Sequence, residues 1–360
     1  MVVERDGQLD LYRAYVLIYI VCVIHVIWCL DFNFLLKPFS LWEMPAIFFI
    51  AGASSKMSKT RCLKDVVVGR FKRVLFPYYI YSVVCLLILS FICVLFPTIK
   101  VHPNSSICNY TLIDFFHVII CQEIKGIPYN NHIWFVVPYL LITISMYYQK
   151  TLIDKYKKKY VFGNIILFAI LCLFFSDYLL YRSVNHEVSV RSFLLDNLFY
   201  FISYNIFFVG GYLYYKNMNV NSIIAIFILS LLLFVGYSLF AICGIPDLQS
   251  LKFPPQIPFV IYGILALCFL SLVLRIVQLR SNKILRIWVN KGYTLYLYQS
   301  IAYWIFANLY NRIIWHYNIH IGEFSRFCVS AVSIFIISIL LSYITTPIEK
   351  FYMHALFSRK

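Results

Sequence analysis

The chain has 360 residues, of which 62% are hydrophobic and only 13% are charged. Because soluble domains carry about 25% charged residues, this composition excludes the soluble fold classes. The net charge of +16 does not indicate a nucleic-acid partner, since the basic residues lie between long apolar runs, where they set the topology of a membrane protein.

The apolar runs are about 20 residues long, which is the length that a helix needs to cross the hydrocarbon of a bilayer. Continuous runs differ from the alternating pattern of a membrane β-barrel, so we predict an all-α polytopic membrane protein. The first run is too long for the core of a signal peptide and is expected to be a retained span. Ten spans are predicted, at approximately 11–30, 39–55, 74–97, 132–149, 161–181, 197–215, 222–243, 257–277, 292–312 and 325–345.

The basic residues predict the orientation of these spans. With the N-terminus placed in the cytoplasm, the inner segments hold 23 of the 31 Lys and Arg residues, and the outer segments hold eight. This positive-inside bias places both termini in the cytoplasm. We expect a single integral-membrane domain, 1–360, in which the short apolar segment 112–123 is interfacial or re-entrant.

Ionisable residues inside a span are costly and are therefore candidates for function. His25 lies in the outer half of the first span, and Glu43 lies about one turn below the outer end of the second, so the two are expected at the same depth. A carboxylate that orients imidazole is the usual partner of a histidine base. The structural alternative is a buried histidine with a backbone or hydroxyl partner. We predict that His25 and Glu43 are catalytic.

Basic residues crowd the cytoplasmic end of the third span, at Lys64, Arg70, Lys72 and Arg73, and Arg13 opens the first span. Positive-inside anchoring accounts for most such clusters. Arginine also binds phosphate through two parallel hydrogen bonds. Arg13, Arg70 and Arg73 are therefore candidates to hold the phosphates of a nucleotide cofactor.

Two further segments carry candidate substrate-binding residues. His132 and Trp134 open the fourth span at the outer level of His25, although the interfacial belt is the commoner position of a tryptophan. In the ninth span, Tyr296 and Gln299 are three residues apart and share a helix face. Such faces are more often packing surfaces, but a polar aromatic face suits stacking against a sugar or isoprenoid. The 11 cysteines show no metal-binding spacing, so no metal site is predicted.

Six segments resemble, in order, the motifs of the acyltransferase 3 family of integral-membrane O-acyltransferases. They are LDLYRAYVLIYIVCVIHV, MPAIFFIAGA, GRFKRVLFPYY, HIWFVVPYL, GYTLYLYQS and TPIEKFY. The resemblance implies transfer of an acyl group, commonly acetyl from acetyl-CoA, to a hydroxyl of an exported glycan. It also implies functional roles for Arg13, His25, Arg70, Arg73 and Trp134.

The sequence departs from the family pattern at two positions. Eleven residues separate Arg13 from His25, one more than the family usually has. The extra residue would turn His25 by about 100° around an ideal helix, unless a π-bulge absorbs it, and such bulges are frequent at functional sites. Gln299 stands where many members have a histidine. Because an amide is neither an acid nor a base, a catalytic role of Gln299 would be positional.

Arg13 and His25 cannot touch, because twelve helical positions span roughly 18 Å. We therefore expect the arginines to hold cytoplasmic acyl-CoA, while His25 acts on the acceptor hydroxyl as a general base or is itself acylated. The acceptor is expected to be a glycan or lipid-linked saccharide, met at the outer side of a bacterial inner membrane among its lipids. The alternative functions are a transporter or flippase for a glycan, lipid or small anion, and a glycan polymerase or ligase.

Overall fold

The computed structural model describes residues 6–34, 37–58, 62–95, 100–102, 105–106, 111–122, 124, 126–127, 130–184, 190–215, 217–277, 279–317 and 322–357. Apart from one short antiparallel pair, β1 (Lys100–His102) and β2 (Ser105–Ser106), the regular structure is helical, as predicted. The α-helices are α1 Gly7–Tyr19, α2 His25–Cys29, α3 Glu43–Met57, α4 Leu63–Arg70, α5 Phe76–Leu95, α6 Leu112–Ile119, α7 Val136–Tyr156, α8 Lys158–Phe174, α9 Ser176–Val184, α10 Val190–Tyr214, α11 Val220–Tyr237, α12 Ile257–Ile276, α13 Lys283–Tyr317 and α14 Glu323–Phe357. The π-helical segments are Ile20–Ile24, Phe71–Leu75 and Ser238–Ile242, and the 3₁₀ segments are Pro38–Ser40 and Asn130–Phe135.

Six helical segments within the described ranges are long and apolar enough to cross a membrane, or seven if one bent pair of helices counts as a span. The six are Gly7–Cys29, Leu63–Leu95, Arg191–Tyr214, Val220–Ile242, Ile257–Ile276 and Glu323–Tyr352, and the bent pair is Lys158–Phe174 with Ser176–Arg182. The predicted spans 39–55, 132–149 and 292–312 fall on α3, α7 and α13. Of these, α3 has only 15 residues, and polar and tyrosine residues lower the hydropathy of α7 and α13. The ten spans and the cytoplasmic termini therefore stay predictions.

Contacts within the chain divide it into two compact units, each assembled from three segments. The first unit comprises Met1–Val16, Asn33–Leu63 and Pro138–Asn282. The second unit comprises Leu17–Phe32, Lys64–Val137 and Lys283–Lys360. The expectation of a single domain, 1–360, stays a prediction.

In the first unit, α3 and α10 approach so closely that their backbones touch. A β-carbon on Gly52 would overlap the carbonyl of Phe208, and a β-carbon on Gly211 would overlap the carbonyl of Phe49. Glycine at such a contact lets two helices pack backbone to backbone, which is a common arrangement of membrane helices. This contact fixes α3, the helix that begins at Glu43, against α10.

In the second unit, α13 lies between α14 and the start of the first predicted span. Trp288 of α13 stacks on Phe335 of α14, with 5.7 Å between the ring centroids. One turn further along the same helix, a β-carbon on Gly292 would come within 2.6 Å of a methyl carbon of Leu17. The missing side chain of this glycine therefore allows α13 to run close to the segment that carries His25.

The predicted interfacial segment forms the short helix α6, which is too short to cross a bilayer. Its first turn is closed by a capping box, in which Thr111 and Asp114 exchange side-chain and backbone hydrogen bonds. The hydroxyl of Tyr78 donates to the carbonyl of Val118 at 2.8 Å and holds the helix against α5. Its large apolar side chains remain exposed, namely Leu112, Phe115, Phe116 and Ile119.

Candidate active site

His25 follows directly on a π-helical turn, Ile20–Ile24. The amide of His25 donates to the carbonyl five residues earlier, which is the π-helical pattern. Within this turn, the carbonyl of Val21 accepts a hydrogen bond from the hydroxyl of Tyr303 at 2.5 Å. A π turn holds one residue more than an α turn, so it accommodates the additional residue between Arg13 and His25. A π-bulge, one of the two outcomes that the spacing left open, is therefore what the structure shows.

The imidazole of His25 is held by the amide of Gln299. Nδ1 of His25 lies 2.7 Å from Oε1 of Gln299. Because an amide oxygen only accepts hydrogen bonds, Nδ1 carries the proton and donates. The neutral imidazole then has its lone pair on Nε2. His25 is half-buried, whereas Gln299 is only 1% exposed.

His132 and Tyr296 complete an aromatic cluster around His25 in the second unit. The ring centroid of Tyr296 lies 6.2 Å from that of His25 and 5.1 Å from that of His132. Nε2 of His132 donates to the carbonyl of Leu297 at 3.2 Å, since a carbonyl oxygen can only accept. The hydroxyl of Tyr296 donates in turn to the backbone carbonyl of His132 at 2.5 Å. The structure thus brings together four of the predicted site residues: His25, His132, Tyr296 and Gln299.

Three buried polar residues beside this cluster were not predicted from the sequence. The hydroxyl of Tyr81 donates to Oδ1 of Asn130 at 2.7 Å and lies 2.6 Å from the hydroxyl of Ser300. These bonds fasten the 3₁₀ segment Asn130–Phe135, which carries His132 and the half-buried Trp134, to α13. Tyr81 lies within an apolar span, so its position alone hinted at a polar partner. Its pairing with Ser300 joins positions 219 residues apart, and no spacing rule reveals it.

Glu43 is bound to a lysine within the first unit. Nζ of Lys252 lies 2.5 Å from Oε1 of Glu43, and both side chains are buried. The other carboxylate oxygen, Oε2, is buried and has no hydrogen-bond partner among the described residues. Sequence reasoning missed Lys252, although a lysine in the short segment between the two apolar helices α11 and α12 was a usable signal. The predicted orientation of His25 by Glu43 stays a prediction.

Arg13 is partly engaged within the first unit. Its guanidinium donates to the hydroxyl of Ser54 at 2.7 Å and lies 3.4 Å from the carboxylate of Asp10. The side chain of Arg13 is nevertheless 39% exposed, so part of its guanidinium remains available to a ligand. Its predicted contact with phosphate stays a prediction.

Arg70 and Arg73 lie at the second π-helical segment, Phe71–Leu75, in the first part of the long helix that continues into α5. Arg70 precedes the segment and is half-buried, whereas Arg73 lies inside it and is exposed. Guanidinium groups at this position have the fork geometry that phosphate binding requires. The two residues stay candidates for phosphate binding.

The cluster around His25 has the arrangement that proton-transfer or acyl-transfer chemistry needs. One imidazole has its tautomer set by a neutral acceptor, which leaves Nε2 as a base or nucleophile. Buried aromatic rings, Tyr296 and Tyr81 among them, limit the access of water around it.

Comparison with known proteins gives one match. The model of the acyltransferase 3 family, described as an acyltransferase domain, matches residues 6–343. The match covers nearly the whole chain and includes all nine predicted site residues: Arg13, His25, Glu43, Arg70, Arg73, His132, Trp134, Tyr296 and Gln299. No curated protein and no solved structure matches the chain.

Proposed function

The chain belongs to the acyltransferase 3 family, and from this premise we propose that it moves an acetyl group from acetyl-CoA to a hydroxyl of a cell-surface or exported glycan. The family makes the protein a membrane acyltransferase. The acetyl group, its CoA carrier and the glycan acceptor are the further content of the proposal.

The observation that carries the proposal is the hydrogen bond between Nδ1 of His25 and Oε1 of Gln299. It leaves Nε2 of the neutral imidazole as the proton acceptor that an attacking hydroxyl requires. Gln299 orients the ring without a negative charge, so it fixes the tautomer but stabilises the imidazolium less than a carboxylate would. His25 is therefore well suited to receive a proton and pass it on within one turnover.

His25 acts in one of two ways, and the same geometry serves both. As a general base, Nε2 takes the proton of the acceptor hydroxyl and gives it to the departing thiolate of CoA. As a nucleophile, Nε2 carries the acyl group before the hydroxyl receives it. Steady-state kinetics separate the two routes, because a covalent route gives ping-pong patterns and direct transfer requires a ternary complex.

The remaining site residues bind and orient the substrates. Arg13, Arg70 and Arg73 would hold the phosphates of the CoA moiety on the cytoplasmic side, because a guanidinium group suits bidentate contacts to phosphate. Trp134 and Tyr296 offer aromatic faces to the sugar. These assignments follow the family pattern and the burial of each side chain.

Glu43 is proposed to support the imidazole of His25 electrostatically. Its unpartnered Oε2 remains able to accept a hydrogen bond. The protein is proposed to lie in a bacterial inner membrane, with ten spans and both termini in the cytoplasm. This topology gives the arginines access to cytoplasmic CoA and gives the outer level of the spans access to exported glycan.

The test is the O-acetyl content of the surface glycan, measured by NMR before and after mild alkali. Cells carry the native chain, no chain, His25→Ala or Glu43→Ala, and membrane levels are matched by immunoblot. We expect alkali-labile acetyl to disappear in the deletion and in His25→Ala, and to fall in Glu43→Ala. Unchanged acetylation in the deletion would contradict the proposed acceptor or acyl group.

A further inference from the structure

The amide nitrogen of Gln299 is a buried donor for which the candidate site shows no partner among the described residues. Gln299 is 1% exposed, and its Nε2 has no hydrogen-bond partner among the described residues. Leaving a buried donor unsatisfied is costly, so such an atom in a native structure calls for a physical reason. Oε1 of the same amide is already occupied by His25 at 2.7 Å, which fixes the direction in which Nε2 lies.

We propose that Gln299 acts on the reaction twice: Oε1 orients His25, and Nε2 donates a hydrogen bond to the carbonyl oxygen of the thioester as negative charge develops there. This inference rests on the proposed function. It makes Gln299 a catalytic residue, because Nε2 would touch the reacting group itself. A preorganised amide donor aimed at a developing oxyanion is one of the largest single contributions to acyl-transfer catalysis.

The bond changes of the step balance around these two residues. The hydroxyl oxygen of the acceptor forms a bond to the thioester carbon, the carbonyl electron pair moves onto its oxygen, and Nε2 of His25 takes the hydroxyl proton. When the carbon–sulfur bond breaks, that electron pair returns to the carbonyl, and His25 gives its proton to the sulfur. The products are an ester and a thiol, and His25 recovers its starting protonation. Nε2 of Gln299 donates only while the oxygen is negative.

The geometry of the Gln299 amide allows one side chain to perform both roles. An amide places its donor and its acceptor on neighbouring atoms of one rigid plane. A group that holds the ring of His25 through Oε1 therefore necessarily presents Nε2 beside the same ring. The aromatic rings of Tyr296 and His132 pack beside His25 in the same cluster.

The test is to exchange the amide for a carboxylate with nearly the same shape, Gln299→Glu. The carboxylate still accepts the hydrogen bond from Nδ1 of His25, but the ionised form has no donor. Initial rates of acetyl transfer from labelled acetyl-CoA to glycan are measured with the detergent-solubilised full chain, so that both substrates reach the site and both can be varied. We expect kcat to fall by roughly 10²–10³-fold while both KM values change little. The rates are measured between about pH 6 and pH 9, because the carboxyl group of Gln299→Glu could still donate a hydrogen bond if it were protonated.

A second variant, Gln299→His, guards against a loss that comes only from misfolding. Neutral imidazole has one acceptor and one donor, so this variant keeps both roles and is expected to stay more active than Gln299→Glu. The matched control is Gln149→Glu, an amide-to-carboxylate exchange at a buried residue of the first unit. Its kcat per folded molecule, with folded protein measured by thermal unfolding in detergent, should equal that of the native chain.

Three results would overturn the inference. If Gln299→Glu is as active as the native chain or more active, Gln299 only orients His25, because a carboxylate orients imidazole more strongly. If the KM for the glycan rises while kcat is unchanged, Nε2 binds the acceptor instead. If Gln299→His is no more active than Gln299→Glu, the missing donor does not explain the loss. Failure of the proposed function gives a different result from failure of this inference. In that case acetyl transfer would be the same with the native chain and with His25→Ala.

Discussion

At the scale of single residues, two polar contacts hold the candidate residues: the hydrogen bond of His25 and the ion pair of Glu43. His25 has its tautomer set by Gln299 at 2.7 Å, and Glu43 has its charge balanced by Lys252 at 2.5 Å. The first arrangement fixes the tautomer of His25 through a neutral acceptor. The second raises the question of whether the Glu43 carboxylate contributes to structure, to catalysis, or to both.

Removing the lysine of the buried pair should destabilise the protein strongly. Lys252→Met leaves the carboxylate of Glu43 buried and uncompensated, so the free energy of unfolding should fall by about 3–5 kcal/mol. Thermal and denaturant unfolding of the detergent-solubilised protein measures this loss. Replacing both partners together, Glu43→Gln with Lys252→Met, should recover most of the stability, because no buried charge remains.

The double variant also separates the two roles of Glu43. If Glu43 supports His25, the double variant regains its fold but remains deficient in acetyl transfer per folded molecule. Full recovery of both stability and transfer would mean that the Glu43 carboxylate serves only the ion pair with Lys252.

At the scale of elements, the π-helical turn Ile20–Ile24 takes up the residue that separates this chain from the family spacing. Deleting Val23 should let the turn become α-helical without turning His25 away from Gln299, so a substantial part of the acetyl transfer should survive. Inserting one alanine after Val23 should instead rotate the ring by about 100° and abolish transfer. Both variants are assayed for label transfer at matched membrane levels. Equal activity of the two would show that the turn does not set the direction of His25.

The backbone contact between α3 and α10 predicts a second effect at this scale. Gly52→Ala introduces a β-carbon that overlaps the carbonyl of Phe208, so the two helices must separate. We expect a loss of about 1–3 kcal/mol or more in the free energy of unfolding, as for other overpacked contacts. The matched control is Gly163→Ala, where nothing lies within 4 Å of the added β-carbon and helix propensity favours alanine. Equal unfolding temperatures of the two variants would contradict the contact.

At the scale of the whole molecule, the predicted topology determines which side of the membrane each substrate must reach the protein from. Cys62 and Cys243 are both exposed free cysteines. The ten-span topology puts Cys62 on the cytoplasmic side and Cys243 on the outer side. In single-cysteine variants, a membrane-impermeant maleimide should label Cys243 but not Cys62 in intact cells, and it should label both in permeabilised cells. Labelling of Cys62 in intact cells would contradict the predicted orientation.

The sequence predicted the helical class, offered a π-bulge as one way to accommodate the residue before His25, and selected His25 and His132, whose ring centroids lie 6.3 Å apart. These features follow from local rules, because apolar run length, spacing along one helix and distance from a span end are all readable from the chain. The partners of the site residues follow no such rule. Gln299 lies 274 positions from His25, and Lys252 lies 209 positions from Glu43. Packing selects these pairs, so the sequence showed which residues are unusual but not which atoms they contact.

Local rules also underestimate two of the predicted spans, α7 and α13, which are long enough to cross a membrane but not apolar enough. The motif around Gln299 lies in α13, whose tyrosines and amides lower the hydropathy of the helix. A membrane helix that lines a functional site carries polar residues in place of apolar ones, so its hydropathy is lower than that of the other spans.

The central claim is that His25 performs acyl transfer from acetyl-CoA to a glycan. Its most direct test is the incorporation of labelled acetyl from acetyl-CoA into alkali-labile glycan in inverted vesicles, with native chain and His25→Ala at equal membrane levels. We predict steady incorporation with the native chain and a rate lower by roughly 10²–10⁴-fold in His25→Ala, which is the usual contribution of a general base. Equal incorporation by the two chains would contradict the claim.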